Sequence, residues 1–308
     1  MRFAIYGSGG LGGYYGARLH DAGHDVGFIA RGANLEAMRS KGLQILSPLG
    51  DLHIDAPTVS DKPAEIGEVD FVLVAVKTWQ IPEVAEAMRP MIAANTLVVP
   101  FLNGVDAPYQ LADALGQAHV LGGLSRIFSL IEAPGVIRHF NDSAYVGFGT
   151  LDNQPSVGAQ ALREAFAGAG VDAEVTADVV KALWEKLILV ASWSGLAALA
   201  RCSLGGMRED LARRQMVDTC IDESIAVARA RGAKLDADYK QSVWKFYESL
   251  PESATSSMMR DIWTERPSEV DAWCGVFHRI GAEVGVPTPT HTFCYQLLQA
   301  MEAAARAS

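Results

Sequence analysis

Hydrophobic positions in the first half of the chain form short runs, and these alternate with segments in which apolar residues recur every three or four positions. The runs are typical of strands, and the two most continuous, 70–76 and 97–101, are typical of parallel strands buried on both faces. The predicted strands lie at 2–6, 25–30, 43–60 (as several short strands), 70–76 and 97–101. The predicted helices lie at 10–22, 34–41, 82–93 and 106–115. This alternation predicts a doubly wound α/β sheet with helices on both faces.

The pattern changes towards the second half of the chain. Residues 126–149 have no helical period and predict antiparallel strands that close the sheet, followed by a helix at 157–168 and a strand at 173–176. Beyond that point almost all periodicity is helical, and the predicted helices lie at 178–199, 209–231, 237–250, 268–284 and 290–306. No tract rich in Pro, Ser or charge marks a flexible linker. We therefore predict two domains, an α/β domain at 1–176 and an all-α domain at 177–308.

Composition adds a few exclusions. The 308 residues carry a formal net charge of −10, which argues against nucleic acid as a partner because phosphate binding needs a basic surface. No apolar run reaches the length of a membrane span, and Arg2 leads directly into a strand-like run rather than a signal peptide. The four cysteines are far apart without a CxxC pair, so we expect reduced thiols, no metal site and a cytoplasmic location.

A glycine-rich motif follows the first predicted strand and opens the first predicted helix. It reads Gly7-Ser8-Gly9-Gly10-Leu11-Gly12, a GxGxxG pattern. In this context Gly7 permits the tight turn, Gly9 lets the backbone approach a pyrophosphate, and Gly12 lets the helix pack on the strand. A turn without a ligand is the alternative, but Gly10 and Gly13 add glycine that local structure does not explain. The motif, with free N–H groups at the helix start facing the phosphates, predicts a dinucleotide-binding (Rossmann-type) domain.

The end of the second predicted strand indicates which dinucleotide is bound. An NAD site usually has Asp or Glu there, about 20 residues after the glycine motif, to hold the ribose 2′-hydroxyl. Arg31 occupies this region instead. A guanidinium can bind the 2′-phosphate of NADP through two parallel hydrogen bonds. The alternative is that Arg31 is only a solvated surface charge. We predict NADP(H) as the cofactor.

Six segments of the chain are specific evidence when their order and spacing are taken together. They are GSGGLGGYYGARL near the start, IARG at 29–32, AVKTWQ at 75–80, LNGV at 102–105, WEKL at 184–187, and SSMMRDI with SEVD between 256 and 271. Together they resemble the ketopantoate reductases (2-dehydropantoate 2-reductases) nearly from end to end. The resemblance implies a Rossmann domain followed by a helical domain, and NADPH-dependent reduction of ketopantoate to pantoate in pantothenate biosynthesis.

The resemblance also implies further cofactor contacts. Lys77 and Gln80 follow a buried strand at its carboxyl end, where open α/β sheets bind ligands, and they match family residues that lie along the cofactor. Asn103 follows the next strand and matches an asparagine that hydrogen-bonds the nicotinamide ribose side. The alternative for Lys77 is a solvated lysine at the start of a helix, and the alternative for Asn103 is an ordinary Asn-Gly turn without a ligand.

Three residues of the second half match the family's catalytic and substrate-binding set. Lys186 lies in a markedly apolar helix and matches the general acid, since an ammonium can donate a proton to the oxygen on which negative charge grows during hydride transfer. Glu269 matches the carboxylate that holds the substrate hydroxyl, and Ser257 matches a serine that contacts the substrate carboxylate. The alternative for Lys186 is a position on the exposed side of its helix, and the alternative for Glu269 is to stabilise the start of a helix through the helix dipole. Asn103, Lys186 and Glu269 form the expected catalytic set.

The chain departs from the family pattern on the helix of Lys186. The family commonly has Asn four and eight residues after the catalytic lysine, on the same helix face, where both help to hold the substrate. Val190 and Ser194 occupy these positions, and Trp193 makes the neighbourhood bulkier. Val190 offers no hydrogen bond, so a more apolar or aromatic 2-oxo acid, or a related ketone, would suit this site better than ketopantoate.

Three functions are compatible with these residues. The first is NADPH-dependent reduction of ketopantoate or another small 2-oxo acid. The second is a non-catalytic NADP(H) sensor, which would keep the glycine motif and Arg31 without a defined substrate. The third is oxidation of a different hydroxy acid or of an amino-linked acid on the same fold. We expect a small-molecule substrate, no nucleic-acid or membrane partner, and a homodimer in which long helices such as 209–231 pair about a two-fold axis.

Overall fold

The computed structural model describes residues 1–307, and the chain divides into two compact units. The first unit comprises residues 1–102 and 106–179, and the second comprises 103–105 and the chain from 180 onwards. The strands of the first unit are β1 (Arg2–Tyr6), β2 (Asp25–Ile29), β3 (Leu43–Leu46), β4 (Leu52–Ile54), β5 (Thr58–Ser60), β6 (Val69–Val74), β7 (Ile92–Pro100), β8 (Leu121–Arg126), β9 (Ser129–Ala133), β10 (Val136–His139), β11 (Tyr145–Thr150) and β12 (Asp172–Val175). Its helices are α1 (Gly10–Asp21), α2 (Gly32–Lys41), α3 (Pro63–Ile66), α4 (Ile81–Ala87), α5 (Ala107–Leu115) and α6 (Val157–Gly168).

The main sheet of the first unit is parallel, with the strand order β5-β2-β1-β6-β7. Alternate residues of β1 enter opposite cores, because Phe3 and Ile5 pack in one and Ala4 and Tyr6 in the other. Burial on both faces explains why the central strands are continuously apolar. The predicted Rossmann-type sheet is confirmed, and the segments that follow β1, β2, β6 and β7 lie at its carboxyl edge, where such sheets bind ligands.

The prediction that the strands within residues 126–149 close the main sheet is wrong, because none of them joins it. β9 and β10 form a hairpin that joins β3 and β4 in a second sheet. β8 and β11 pair with β12 in a third sheet. The predicted helix at 82–93 ends at Ala87 and β7 begins at Ile92, since Pro90 lacks an N–H donor and its ring disfavours continued helix.

The described residues of the second unit contain helices and no strand, so the all-α prediction is confirmed there. The helices of this half are α7 (Val179–Ala200), α8 (Leu204–Glu209), α9 (Leu211–Ala230), α10 (Tyr239–Ser249), α11 (Ser257–Trp263), α12 (Val276–Val284) and α13 (Pro289–Ala307). A π-helical turn, Asp271–Gly275, runs directly into α12. The sequence pattern does not predict α11, and the predicted helix at 209–231 is divided at Asp210, whose carboxylate caps α9 by accepting a hydrogen bond from the Arg213 N–H at 2.9 Å.

Helix α7 is long and apolar enough to cross a membrane by length and composition, although the sequence pattern predicts no such span. In the structure 67% of its most apolar window is buried inside the protein. A helix that is apolar on nearly every side is expected at the centre of a helical core, and α7 has that position in the second unit.

The cysteines of the described chain are free thiols. Cys220, Cys274 and Cys294 are buried, as predicted for core residues. Burial raises the pKa of Cys294 to about 12 and holds the pKa of Cys274 well above its usual value. Neither thiol is therefore a nucleophile at neutral pH.

A chain of buried polar side chains links α13, α9 and α7. The Glu223 carboxylate accepts hydrogen bonds from the N–H groups of Thr290 and His291 at 2.9 and 3.0 Å, at the start of α13. Nε2 of His291 lies 2.8 Å from Ser224 Oγ, which lies 3.1 Å from Ser192 Oγ on α7. His291 is 1% exposed, and burial lowers its pKa to about 4.

The free energy of unfolding should therefore fall by about 2 kcal/mol between pH 7 and pH 5 through His291 alone. The unfolded state takes up a proton near the ordinary histidine pKa of 6.5, whereas the folded state stays neutral down to about pH 4. Stability is thus lost as the pH falls through this window. Urea unfolding at pH 7, 6 and 5 measures the slope, and His291→Gln should flatten it. An equal slope in the variant would assign the pH dependence to other groups.

Candidate functional site

The glycine loop after β1 has the geometry that its motif predicts. Gly7 has φ +99°, and a side chain there would lie 2.6 Å from the carbonyl oxygen of Ala75, which follows β6. A side chain at Gly12 would lie 2.2 Å from the Gly7 oxygen, so glycine is needed for α1 to start against the loop. Gly9 has open space around its Cα, since a methyl group attached there would have no neighbouring atom within 4 Å. The backbone is therefore accessible at the point where α1 presents its first N–H groups.

The two additional glycines have a structural reason that the pattern does not reveal. A side chain at Gly10 would lie 2.8 Å from Leu130 Cα in β9, and one at Gly13 would lie 2.1 Å from Ile137 Cδ1 in β10. The β9–β10 hairpin thus packs on the first turns of α1. Gly10 and Gly13 permit this packing whether or not a ligand is bound.

The loop is tied to its neighbours by the polar atoms of Ser8 and Asn34. Ser8 is buried, and its hydroxyl and N–H both donate to the Ile29 oxygen at the end of β2, at 3.0 and 3.1 Å. The Asn34 amide donates to the Ser8 oxygen at 2.8 Å and accepts from the Gly135 N–H in the hairpin turn at 2.9 Å. These bonds fix the loop between β2 and the hairpin, and Ser8 contributes to the loop's shape.

Arg31 follows β2 directly and is the N-cap residue of α2. Its guanidinium donates to the Glu83 carboxylate at 2.9 Å, and this hydrogen bond raises the pKa of Arg31 above its usual value. Both side chains are more than half exposed, at 54% and 66%, so the pair faces solvent and can rearrange. The partnership is not visible in the sequence, because 52 positions separate the two residues.

Lys77, Gln80 and Asn103 follow strands of the main sheet at their carboxyl ends. The Gln80 side chain accepts a hydrogen bond from the Lys77 N–H at 3.0 Å and so caps the turn Thr78–Gln80. The Lys77 ammonium lies 5.9 Å from the centre of the Trp79 ring. Asn103 is half-buried and precedes Gly104, whose φ of +111° forms the predicted Asn-Gly turn.

Helix α7 carries Lys186, Val190 and Ser194 on one face, at successive four-residue steps. Lys186 and Val190 are half-buried, whereas Ser194 is completely buried and its hydroxyl donates to the Val190 oxygen of its own helix. Trp193 is also buried, with its ring centre 6.4 Å from that of Tyr247 and its indole N–H bonded to the Leu189 oxygen. The Trp193 ring therefore packs in the helical core.

Two tyrosines of α10 hold the backbone of α7 on either side of Lys186. The Tyr239 hydroxyl donates to the Glu185 oxygen at 2.7 Å, and the Tyr247 hydroxyl donates to the Ile188 oxygen at 3.4 Å. Both rings are buried. Lys186 thus extends from a helix that is fixed within one turn in each direction.

Glu269 is buried and lies directly before the helical segment that contains the π-turn. The preceding Ser268 donates to the Glu302 carboxylate of α13 through its N–H at 2.8 Å and its hydroxyl at 2.6 Å. Arg306 in turn lies 2.7 Å from Glu302. These contacts fix the backbone at Glu269, although sequence reasoning does not single out Ser268 or Glu302. Ser257 is the first residue of α11 and is half-buried.

The second unit brings the π-turn, α7 and the Asn103–Val105 segment together. A side chain at Gly195 of α7 would lie 2.7 Å from Cys274 Sγ in the π-turn. A side chain at Gly104 would lie 3.6 Å from the Ala272 oxygen of the same turn. Small residues at these two points allow close approach to the turn that follows Glu269.

Comparison with known proteins covers nearly the whole chain. The family model Ketopantoate reductase PanE/ApbA matches residues 3–153, and Ketopantoate reductase PanE/ApbA C terminal matches residues 178–302. The uncharacterized oxidoreductase YkpB of Bacillus subtilis (strain 168) is 30% identical over 98% of this chain and 99% of its own length. The crystal structure of 2-dehydropantoate 2-reductase from Geobacter metallireducens GS-15 is similar, with a TM-score of 0.91 and 30% identity over 97% of this chain and 99% of that chain. D-mandelate dehydrogenase, solved with NADH and anilino(oxo)acetate, shares the fold with a TM-score of 0.90 and 22% identity over 99% of both chains. The chain belongs to the ketopantoate reductase family of oxidoreductases.

Proposed function

We propose that this protein reduces a small 2-oxo acid to the 2-hydroxy acid with NADPH. The observation that carries the proposal is the half-buried Lys186, held on the buried helix α7 of a chain whose two halves both match the family. Solvated lysines are common, but a lysine fixed within a core helix is a candidate for chemistry. Glu269 and Asn103 complete the proposed catalytic set.

The first unit supports a nicotinamide dinucleotide at the glycine loop. Open backbone at Gly9 and the first N–H groups of α1, those of Gly10, Leu11 and Gly12, suit a pyrophosphate. Ser8 shapes this loop. Arg31 would hold the 2′-phosphate of NADP, after exchanging its contact with Glu83 for the phosphate. Lys77, Gln80 and Asn103 would lie along the cofactor at the sheet edge, and when bound the nicotinamide supplies a hydride to the substrate carbonyl carbon.

The second unit supplies the groups that act on the substrate. Lys186 would donate a proton to the carbonyl oxygen and stabilise the negative charge that develops there. Glu269 would accept a hydrogen bond from a substrate hydroxyl, and Ser257 would donate to the substrate carboxylate. Val190 and Ser194 line the same face of α7 as Lys186.

Ketopantoate is the first candidate substrate, because the 2-dehydropantoate 2-reductase from Geobacter metallireducens GS-15 is similar over 97% of the chain. A more apolar or aromatic 2-oxo acid is the second candidate, and Val190 is the observation that favours it. The Ser194 hydroxyl is already bonded to the Val190 oxygen, so this face of α7 offers few hydrogen bonds to a polar substrate.

NADPH oxidation by the purified protein should therefore be measured with ketopantoate and with an apolar series such as 2-oxoisovalerate and phenylpyruvate. A kcat/KM of roughly 10⁴ M⁻¹s⁻¹ or above with any of them would support the proposal. No rate above background, in a protein that binds NADPH, would favour the sensor function instead.

Val190→Asn tests the reason for a substrate preference. An added amide should lower the KM for ketopantoate by about 2- to 10-fold through one further hydrogen bond, and raise the KM for the apolar substrates. Val190→Leu, which adds no donor, is the matched control. Efficient turnover of ketopantoate by the wild type, with no gain in the asparagine variant, would show that Val190 does not select the substrate.

A further inference from the structure

A buried hydrogen-bond donor in the second unit has no partner. Trp273 is 1% exposed, and its indole N–H meets no acceptor among the described residues 1–307. Buried polar groups are almost always paired, because an unpaired donor loses its bonds to water without replacement. By contrast, the indoles of Trp193 and Trp263 donate to backbone oxygens of α7, at Leu189 and Ala198.

The position of Trp273 relates this donor to the proposed active site. It lies in the π-turn Asp271–Gly275, and its backbone N–H donates to the Glu269 oxygen at 3.1 Å. Residues one helical turn apart lie on the same side, so the indole and the Glu269 carboxylate start from neighbouring positions. π-Turns cost regular helical hydrogen bonding and are frequent at functional sites.

The surroundings of the π-turn are the other segments of the proposed site. Cys274, next to Trp273, packs against Gly195 of α7, and Ala272 on its other side lies beside Gly104. The π-turn that contains Trp273 therefore packs against Gly195, which follows Ser194, and against Gly104, which follows Asn103.

At positions 190 and 194, helix α7 offers no free side-chain donor for a substrate carboxylate. Val190 has no polar atom, and the Ser194 hydroxyl donates to the Val190 oxygen. A carboxylate accepts several hydrogen bonds, and these are stronger than bonds between neutral groups. A buried indole N–H one helical turn after Glu269 can supply one of them.

We propose that the Trp273 indole N–H donates a hydrogen bond to the carboxylate of the bound 2-oxo acid, because Val190 and Ser194 of α7 have no donor available for it. This assignment rests on the proposed function. It makes Trp273 a substrate-binding residue and explains why an unpaired donor is kept in the core. An indole N–H only donates, so it favours the carboxylate, whose charged oxygens accept hydrogen bonds more strongly than a hydroxyl oxygen does.

The direct test observes the indole itself. The chain contains six tryptophans, so protein labelled with ¹⁵N-tryptophan gives a small set of indole signals, and the Trp273 signal is the one that Trp273→Phe removes. Oxamate, a non-reducible 2-oxo acid analogue, is added to the NADP⁺-bound protein. The proposal expects a downfield shift of the Trp273 proton larger than that of the other indoles. If calorimetry shows that oxamate binds but the Trp273 signal does not move, the assignment of Trp273 is overturned and the proposed function stands. If neither oxamate nor any other 2-oxo acid binds, both the assignment and the proposed function are overturned.

Kinetics and stability separate binding from packing. Trp273→Phe keeps an aromatic ring and removes the unpaired donor, so the KM for the 2-oxo acid should rise about ten-fold with kcat within about two-fold, while the smaller ring lowers Tm modestly. Trp263→Phe is the matched control, since it breaks a bond of 3.1 Å to the Ala198 oxygen and should lower Tm without raising KM. A Trp273→Phe variant with lower Tm and unchanged KM would show that Trp273 only fills the core.

Discussion

Replacing Lys186 by methionine is expected to lower kcat about a thousand-fold while the affinity for NADPH stays unchanged. General acid catalysis by a positioned side chain contributes about 10²- to 10⁴-fold, and methionine keeps the length of the side chain without a proton to donate. All of the proposed cofactor contacts except Asn103 lie in the first unit, and none of them is Lys186, so the affinity for NADPH should not depend on this lysine. Stopped-flow NADPH oxidation measures the rate, and a fluorescence titration measures the affinity.

Lys181→Met is the matched control for this experiment. Lys181 lies on the same helix and pairs with Asp236 at 3.0 Å, away from the face of Lys186 and Val190. The control variant should keep kcat within about two-fold, since an ion pair of this kind contributes little. If Lys186→Met retained more than about a tenth of the wild-type kcat, another group would have to supply the proton.

Replacing Arg31 by alanine should weaken NADPH binding by about 10- to 100-fold and leave NADH binding within about two-fold. A hydrogen bond to a charged group contributes about 1.5–3 kcal/mol, and only NADPH carries the 2′-phosphate that Arg31 would hold. Isothermal titration with each nucleotide measures both affinities. Glu83→Gln should tighten NADPH binding by up to about five-fold, because it removes the carboxylate with which Arg31 pairs at 2.9 Å.

Arg39→Ala controls for the loss of any positive charge from α2. Arg39 is also exposed and lies 3.8 Å from Glu36 on the same helix. It should alter the binding of both nucleotides only slightly. Equal weakening of NADH and NADPH by Arg31→Ala would contradict the assigned role, because it would show that Arg31 does not contact the 2′-phosphate.

The order of strands and helices follows from the sequence wherever local physics decides it. Apart from the exposed Arg2 and Asp70, strands β1 and β6 are apolar because both faces of the sheet are covered, and that pattern is visible without a structure. The glycine loop is equally local, since a positive φ at Gly7 and close packing at Gly12 leave no room for other residues. The arrangement of β9 and β10 in a second sheet depends on contacts with β3 and α1, which are distant in sequence.

In the candidate site, too, some features can be predicted from local sequence and others depend on the folded chain. Lys186, Val190 and Ser194 share a helix face by spacing alone, so their neighbourhood is predictable. The inward direction of Trp193 is not, because period alone does not tell a core face from a substrate face in a helix that is apolar on nearly every side. The pairing of Arg31 with Glu83 and the unpaired indole of Trp273 are properties of the folded chain, and no sequence signal marks either of them.

The central claim is that this chain transfers hydride from NADPH to the carbonyl carbon of a 2-oxo acid. The most direct measurement uses NADPH deuterated at both C4 positions, with mass spectrometry of the hydroxy acid formed. The account predicts a product that carries one deuterium at C2 and that forms about a thousand-fold more slowly with Lys186→Met. An unlabelled product, or no product from a protein that binds NADPH, would contradict it.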